Sequence, residues 1–341
     1  MKRAERTRRL RATEGPAVGL GCYASIGAVL VVGGLAWSVF AQSYPSKPVR
    51  LIVPFPAGAA ADIVGRTYAT RFSEFWGQQV IVDNRGGANT IVGAELASRA
   101  APDGYSLFLT SATTQVINAL LYRKLPYDPR KGFQPITVVA EVPFAIVAHP
   151  ALPANSVKEL VSYARARPGE LSYASSGTGS VGHLAGVLFD SMAGTKMVHI
   201  PYKGGGPATT DLVGGQVMLY FASMPTIAVH LQNRRVKVLG LAKARRNPRW
   251  PDIPTVSEAG YPGYEMNSWY GLAAPPGTPR TIVDRVQSAA ARASNLPEVV
   301  ERMTAMGADL PTSTPEAFSA YIDRDFERIA KAVKAAGLTL D

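Results

Sequence analysis

The chain has 341 residues, 47% hydrophobic and 18% charged, with one cysteine and a formal net charge of +11. That is ordinary globular composition, long enough for two cores, and it excludes a disordered chain, a collagen-like repeat and a disulfide scaffold. The positive charge raises nucleic acid as a partner, but no basic helix or aromatic–basic platform accompanies it, so none is expected.

Lys2, Arg3, Arg6, Arg8, Arg9 and Arg11 make a basic head, an uncharged apolar run follows to Phe40, and Val39-Phe40-Ala41 has the small-x-small form of a processing site. Residues 1–41 therefore read as a secretory signal peptide. A retained membrane anchor is the alternative, because the apolar run is long for such a peptide; five glycines between Gly19 and Gly34 and the absence of a basic stop after Phe40 oppose it. With Cys22 in the leader, the mature chain has no cysteine and relies on its cores. The leader holds six basic and two acidic residues, so about +7 stays with the remainder. The densest basic cluster, Lys243, Arg245, Arg246 and Arg249, reads as a solvated loop.

Val49 to Phe55 is a β-rich run, and Ala57 to Asp62 leads into a helix with Val64, Tyr68, Phe72 and Phe75 on one face, stopped at Gly77. Val80-Ile81-Val82 is a strand, Arg85-Gly86-Gly87 turns into a helix with Ile91, Leu96 and Ala100, and Tyr105 to Thr110 is a third strand. This β-α-β-α-β order implies a parallel sheet covered by helices. Ile136–Ala140 and Phe144–Ala148 read as two strands, separated by Glu141-Val142-Pro143, where the chain crosses to a second unit. Ser156-x-x-Glu159 is a capping box opening a helix that ends at Pro168-Gly169. Strands follow at Leu171–Tyr173, Met197–Tyr202, Val217–Phe221 and Val236–Leu241, with helices at Leu184–Met192 and through Leu212. Trp269–Ala274 is the returning strand. Ile282, Val286, Ala289 and Ala293 mark one helix, and Thr314-Pro315-Glu316 opens another with Phe318, Ile322, Phe326, Ile329 and Val333 on one face. These last helices have no sheet of their own and are expected to pack back on the first unit.

The chemistry concentrates in two strand–small-residue loop–helix turns, Val53–Asp62 and Tyr173–His183. Gly177-Thr178-Gly179-Ser180-Val181-Gly182 matches G-x-G-x-x-G, yet the following strand ends His199-Ile200-Pro201-Tyr202-Lys203 without the carboxylate a dinucleotide ribose requires. A serine hydrolase would show G-x-S-x-G, which Thr178 breaks, and no aspartate is placed to orient His183. His149, His183, His199 and His230 are scattered, so no metal is expected. What remains is an anion site: each turn presents backbone N–H groups and a helix N-terminus to negative charge. Each turn by itself also fits an ordinary βα connection.

Tyr44-Pro45-x-Lys47-Pro48-Val49-Arg50-Leu51-Ile52-Val53-Pro54-Phe55 with Ala57-Gly58 and Asp62, then Asn84-Arg85-x-Gly87-Ala88-Asn89, Ala101-Pro102-Asp103-Gly104-Tyr105 and Leu125-Pro126-Tyr127-Asp128-Pro129, form a set. It continues in Ser175-Ser176-Gly177-x-Gly179-Ser180-x-x-His183-Leu184, Pro201-Tyr202-Lys203-Gly204, Asp211-Leu212-x-Gly214-Gly215, Pro251-Asp252-Ile253-Pro254-Thr255-Val256 and Gly271-Leu272-x-Ala274-Pro275. Together these resemble the solute receptors of tripartite tricarboxylate transporters, the Bug family, over nearly all of 44–341. The resemblance implies an α/β, two-lobed periplasmic binding protein (type II-like), with one lobe from 44–143 plus 268–341 and the other from 144–267. It implies a monomer without cofactor or catalytic residue, capturing a small organic acid and delivering it to membrane permease subunits. A sensing role with a membrane kinase uses the same fold, and a cleft hydrolase stays as the remote alternative. Ligand contacts are expected from Phe55, Gly58, Ala59, Ala60 and Asp62; Ser111 and Thr113; Ser175, Ser176, Gly177, Thr178, Gly179, Ser180 and His183; and Ala222 and Ser223. The family's first loop usually reads P-x-G-G-x-[ST]-D. Here Ala59 stands at the second glycine, where a backbone conformation favouring glycine is expected, and Ala61 replaces a hydroxyl. Ser111-Ala112-Thr113-Thr114 is hydroxyl-rich where glycine is common, and Ala222-Ser223 stands in a turn that is often acidic.

Overall fold

A computed structural model describes residues 44–336, so the expected leader at 1–41 lies outside the described residues. The first elements are β1 (Val49–Val53), α1 (Ala60–Trp76), β2 (Val80–Asn84), α2 (Ile91–Ser98) and β3 (Ser106–Ser111). A π-helical turn at Thr113–Ile117 runs into α3 (Asn118–Leu121), followed by β4 (Gln134–Ala148), α4 (Val157–Ala166), β5 (Ser172–Ser175), α5 (Val181–Ala193) and β6 (Val198–Pro201). Then come α6 (Gly205–Val213), β7 (Leu219–Ser223), α7 (Met224–Gln232), β8 (Lys237–Leu241), β9 (Asn267–Ala274), α8 (Arg280–Ser294), α9 (Pro297–Ala305) and α10 (Pro315–Ala336).

The period-2 alternation of the strands assigns each face its own core. Leu51 and Val53 of β1 and Leu107 and Leu109 of β3 pack under α1 and α8 with Tyr68, Phe72 and Val286, whereas Ile52 and Phe108 point to the other face with Tyr127 and Phe133. In β4, Ile146 and Ala148 face a core built from α4, α5 and α10, while Ala145 and Val147 face Leu212, Tyr220 and Ile227. Parallel β2-β1-β3 is extended by antiparallel β9 and β4; β4 then pairs with β7 and β8, and β7-β5-β6 runs parallel.

Two strands were expected between Ile136 and Ala148, but one strand of 15 residues occupies the region. Pro143 interrupts no ladder because β4 changes partners there: Gln134 to Pro143 pairs with β9, and Phe144 to Ala148 with β7 and β8. An antiparallel ladder uses each N–H on one side only, which leaves room for a residue without one. Helices α3, α7 and α9, which the sequence pattern did not announce, are short; α7 and α9 each begin with proline in the first turn. The capping box at Ser156 forms in part: Ser156 Oγ accepts from the Glu159 N–H at 3.2 Å, but Glu159 Oε2 takes the N–H of Asn155.

Of the final helices, α8 and α9 join the core under β1 and β3. Helix α10 packs Phe318, Ile322, Ile329 and Val333 into the core shared with α5 and Trp269. Gly271 makes this possible, because a Cβ there would stand 2.1 Å from the Phe318 ring. Asp325 of α10 accepts from the Trp269 indole at 2.8 Å and is held by Arg328, which also donates to the Glu265 carbonyl and Asn267.

The buried Tyr68 hydroxyl ties three elements together, meeting the Val139 carbonyl of β4 at 3.0 Å and Ser294 Oγ of α8 at 2.6 Å. Tyr68→Phe is expected to lower unfolding free energy by about 1.5 kcal/mol, since it leaves a buried acceptor short of a donor. A urea titration with an unchanged slope and a shifted midpoint is the check.

Candidate functional site

Both small-residue turns lie where a strand delivers the chain to a helix N-terminus. In the first, Gly58 carries the left-handed backbone (φ +80°) and Ala59 is in ordinary extended conformation (φ −69°, ψ 161°). The strain expected at Ala59 is therefore absent, because the turn places its left-handed residue one position earlier, on the glycine that is retained. Ala59 is the N-cap of α1 and has no side-chain acceptor, so the first amides of α1, from Ala60 onward, have no side-chain cap. Ala60 and Ala61 are buried, and Ala61 fills part of the first core in place of a hydroxyl.

Asp62 closes this turn from inside. Its carboxylate accepts from the Gly58 N–H at 2.9 Å, Arg66 Nε at 3.0 Å and Asn84 Nδ2 at 3.0 Å. Burial pushes the carboxyl up, but the bonds from Arg66, Gly58 and Asn84 outweigh it and hold it below the usual carboxylate range. Asn84 also donates to the Phe55 carbonyl, and the Phe55 ring stands edge-on to Tyr270 at 5.9 Å. Asp62 is thus committed to shaping the loop, with its acceptors already engaged.

In the second turn, Ser180 caps α5: its Oγ accepts the His183 N–H at 3.2 Å. The amides of Val181 and Gly182 remain as helix-end donors without an intrahelical acceptor. Gly182 lets this end approach β7, since a Cβ there would lie 2.4 Å from the Phe221 carbonyl oxygen. The loop is braced beneath by two imidazoles. His183 Nδ1 accepts the Gly179 N–H at 3.1 Å, its ring stacks on His199 at 3.9 Å and 17°, and His199 Nε2 lies 2.6 Å from Ser175 Oγ. Burial pushes His183 down, and burial together with the neighbouring His183 pushes His199 down to about 4, so both rings are neutral at pH 7.

The Ser175–His199 contact has the outline of a nucleophile and base, but its surroundings oppose that chemistry. Ser175 is fully buried, and its Oγ also meets the Gly177 carbonyl and N–H at 3.0 and 3.1 Å. Among the described residues no carboxylate is hydrogen-bonded to His199, and no group of three His, Cys, Asp or Glu is arranged to hold a metal.

The two turns come together. A Cβ on Gly204, whose N–H donates to the Ser176 carbonyl, would lie 3.7 Å from Pro56 Cγ of the first turn. From the β2–α2 loop, Asn89 Nδ2 reaches the Gly179 carbonyl at 3.1 Å. Ser176 and Gly177 are half-buried and Thr178 is exposed on the rim. Ser111 and Thr113 sit behind, both buried: Ser111 Oγ pairs with Thr114 Oγ1 at 3.1 Å, and Thr113 starts the π-helical turn. Ala222 packs into the core beside Tyr220, and Ser223 Oγ pairs with Thr226 Oγ1 at 2.7 Å at the start of α7. So the two turns approach one another with many of their hydroxyls, and the amides of Gly58, Gly177, Gly179 and Ser180, engaged inside the protein, while the first amides of α1 lack a side-chain cap and those of Val181 and Gly182 lack an intrahelical acceptor.

The sequence reading overlooked Pro56, Asn89, Thr90 and Asn118. Asn89 lies in a motif that was legible, Asn84-Arg85-x-Gly87-Ala88-Asn89, but nothing in its spacing announced a contact 90 residues away.

Known proteins share this arrangement. The model of the tripartite tricarboxylate transporter family receptor matches residues 64–338. Protein BugT of Bordetella pertussis is 34% identical over 318 residues, covering 93% of this chain and 98% of its own. An R. palustris protein solved with adipate superposes with a TM-score of 0.84 at 35% identity, covering 87% of this chain and 99% of that one. MatC from Rhodopseudomonas palustris, with bound malate, gives 0.80 at 31% identity over 85% of this chain and all of its own. The periplasmic binding protein BugD gives 0.82 at 35% identity, covering 87% of this chain and 99% of its own. On this family match and these relatives, which share the α/β periplasmic-binding-protein fold, the chain belongs to the tripartite tricarboxylate transporter receptor family, the Bug solute-binding proteins.

Proposed function

We propose that this protein is an exported receptor that captures a small carboxylate between the Phe55–Asp62 and Ser175–His183 turns and delivers it to a tripartite tricarboxylate-type permease. The observation that carries the reading is a pair of helix N-termini, α1 without a side-chain cap and α5 with two amides lacking an intrahelical acceptor, whose turns approach at Pro56 and Gly204, Gly204 being bonded to the Ser176 carbonyl. Amide donors and aligned helix dipoles favour an anion without requiring a cationic side chain. The relatives solved with adipate and malate support a dicarboxylate, the α5 end holding one carboxylate and the α1 end helping to fix the other. In this reading the lobes, 44–143 with 268–341 and 144–267, close over the ligand by a population shift. The partner-exchange point of β4 at Pro143–Phe144 supports that division. The basic, apolar first 41 residues support export, and among the described residues no helix is long and apolar enough to cross a membrane.

The test is a thermal-shift panel on ligand-stripped 42–341, with mono-, di- and tricarboxylates, amino acids and neutral amides. A ligand at 100-fold excess over its Kd stabilises by about 2.7 kcal/mol, a readily measured rise in Tm. A rise confined to carboxylates is expected; a rise with neutral compounds alone would refute the anion site, and turnover of any bound acid would refute the receptor role.

A further inference from the structure

Among the described residues, the loop between β2 and α2 is where successive non-glycine residues hold left-handed backbone: Ala88 at φ 43°, Asn89 at 50° and Thr90 at 75°. L-residues adopt that conformation at a cost, and a run of three persists only where surrounding bonds over-determine it. Those bonds come from the turn after β3. Asn118 Nδ2 donates to the Asn89 carbonyl at 2.8 Å and lies 3.3 Å from Thr90 Oγ1; Thr114 Oγ1 donates to Thr90 Oγ1 at 3.0 Å. Tyr127 locks this platform, donating to the Thr114 carbonyl at 2.7 Å and accepting from Asn118 at 3.1 Å. Thr90, Thr114 and Asn118 are buried, so the platform is a fixed part of the first half of the fold.

The strain sets the direction of one side chain. Asn89 Nδ2 divides its two protons between Asn118 Oδ1 at 2.8 Å and the Gly179 carbonyl at 3.1 Å, across to the second half. Gly179 needs such an anchor. It lies in a loop with Gly177 and Gly179 at φ 141° and 75°, where glycine imposes no preference of its own. The Gly179 carbonyl and the Ser180 N–H share one planar peptide, so holding the oxygen fixes the plane that leads into the α5 cap. On the other side the Gly179 N–H rests on His183 Nδ1.

We propose that Asn89 is a positioning residue for ligand capture: a latch between the two halves of the fold that already in ligand-free protein holds the Gly179–Ser180 peptide, so the α5 amides stay aimed at the ligand. It touches no ligand itself. The inference rests on the capture reading above, and it makes the strained Ala88–Thr90 run the device by which one lobe senses the position of the other.

Asn89→Gly separates this role from a structural one, because glycine relieves the left-handed strain while removing the donor. Strain relief and the loss of the Asn118 Oδ1 contact oppose each other, so the variant is expected to melt close to the wild-type temperature. In ligand-free protein, amide exchange over 176–183 should rise about 10-fold, with other segments unchanged. With adipate or malate as probe, dissociation should quicken about 10-fold while association changes less than about 2-fold. Asn89→Asp, which keeps the shape but turns an acceptor toward two oxygens, should raise exchange over 176–183 and quicken dissociation in the same way. Unchanged exchange and dissociation in both variants would overturn the latch, and so would faster exchange spread across the whole chain with a lowered Tm. If wild-type protein binds neither acid, the capture reading for these ligands falls, and the exchange experiment by itself decides the latch.

Discussion

Ala59→Asp is expected to stabilise the fold and abolish carboxylate binding. Ala59 already holds the extended backbone of an N-cap residue, with φ −69° and ψ 161°, but has no side chain to accept the amides beyond it. An aspartate there accepts from the second or third amide of α1 and meets the positive end of its dipole. Such a cap is worth about 1 kcal/mol, reduced by the nearby Asp62 carboxylate. The same carboxylate fills the donors assigned to the ligand and repels it. Two like charges about 4 Å apart at an effective dielectric near 20 oppose each other by about 4 kcal/mol, which corresponds to a loss of affinity of at least about 100-fold. Calorimetric titration with adipate and malate, beside thermal melting, reads both effects. Full affinity in Ala59→Asp would move the anion away from the α1 end, and a lowered Tm would contradict the open cap. Ala59→Asn caps without charge and should lose less affinity.

Acidification from pH 7 to 4.5 is expected to destabilise the ligand-free protein through the stacked imidazoles. His199 is pushed down to about 4 and His183 is also lowered. The unfolded chain therefore takes up their protons near pH 6.5 while the folded state resists. The stability these neutral rings contribute is fully present above about pH 6.5 and is lost progressively as pH falls toward 4. His199 carries the larger part of the loss and His183 the rest, because a proton on one ring opposes a proton on the ring stacked against it. Asp190, whose carboxyl burial raises, acts in the opposite sense and partly offsets the fall. The lowered carboxylates Asp62, Asp83 and Asp128 lose their contribution only below about pH 4, outside this window. His199→Gln removes one ring of the pair, so its Tm should vary less between pH 7 and 4.5 than that of the parent. Equal slopes for the two proteins would show that the pair does not govern acid stability.

Much of this protein was legible before any coordinate. The alternation of apolar runs with helix-period segments determined the β-α-β order. Leu51, Val53, Leu107 and Leu109 segregate from Ile52 and Phe108 because side chains on a strand point alternately to opposite faces. The two small-residue turns were equally visible, since a glycine-containing link between a strand and a helix leaves amides bare wherever it occurs. Local signals also located the caps at Ser156 and Gly77, which depend on residues within one helical turn.

What the tertiary structure decided lies at longer range. The strand through Pro143 depends on β9, β7 and β8, more than 70 residues further along, which supply different partners on either side of the proline. Helix α10 reaches the α5 core because Gly271 on a distant strand leaves space for Phe318. The roles of individual polar residues were least legible. Asp62, Ser180 and Ser175 have the chemistry of ligand contacts, yet the fold supplies each with internal partners, while the alanine at 59 leaves the amides beyond it without a side-chain cap. Asn89 is an ordinary loop asparagine in sequence and in the structure donates to the Gly179 carbonyl, 90 residues away. Period and turn chemistry are local properties that a sequence carries directly; whether a polar group is spent inside the protein or left for a ligand depends on which distant groups the folded chain brings within hydrogen-bond reach.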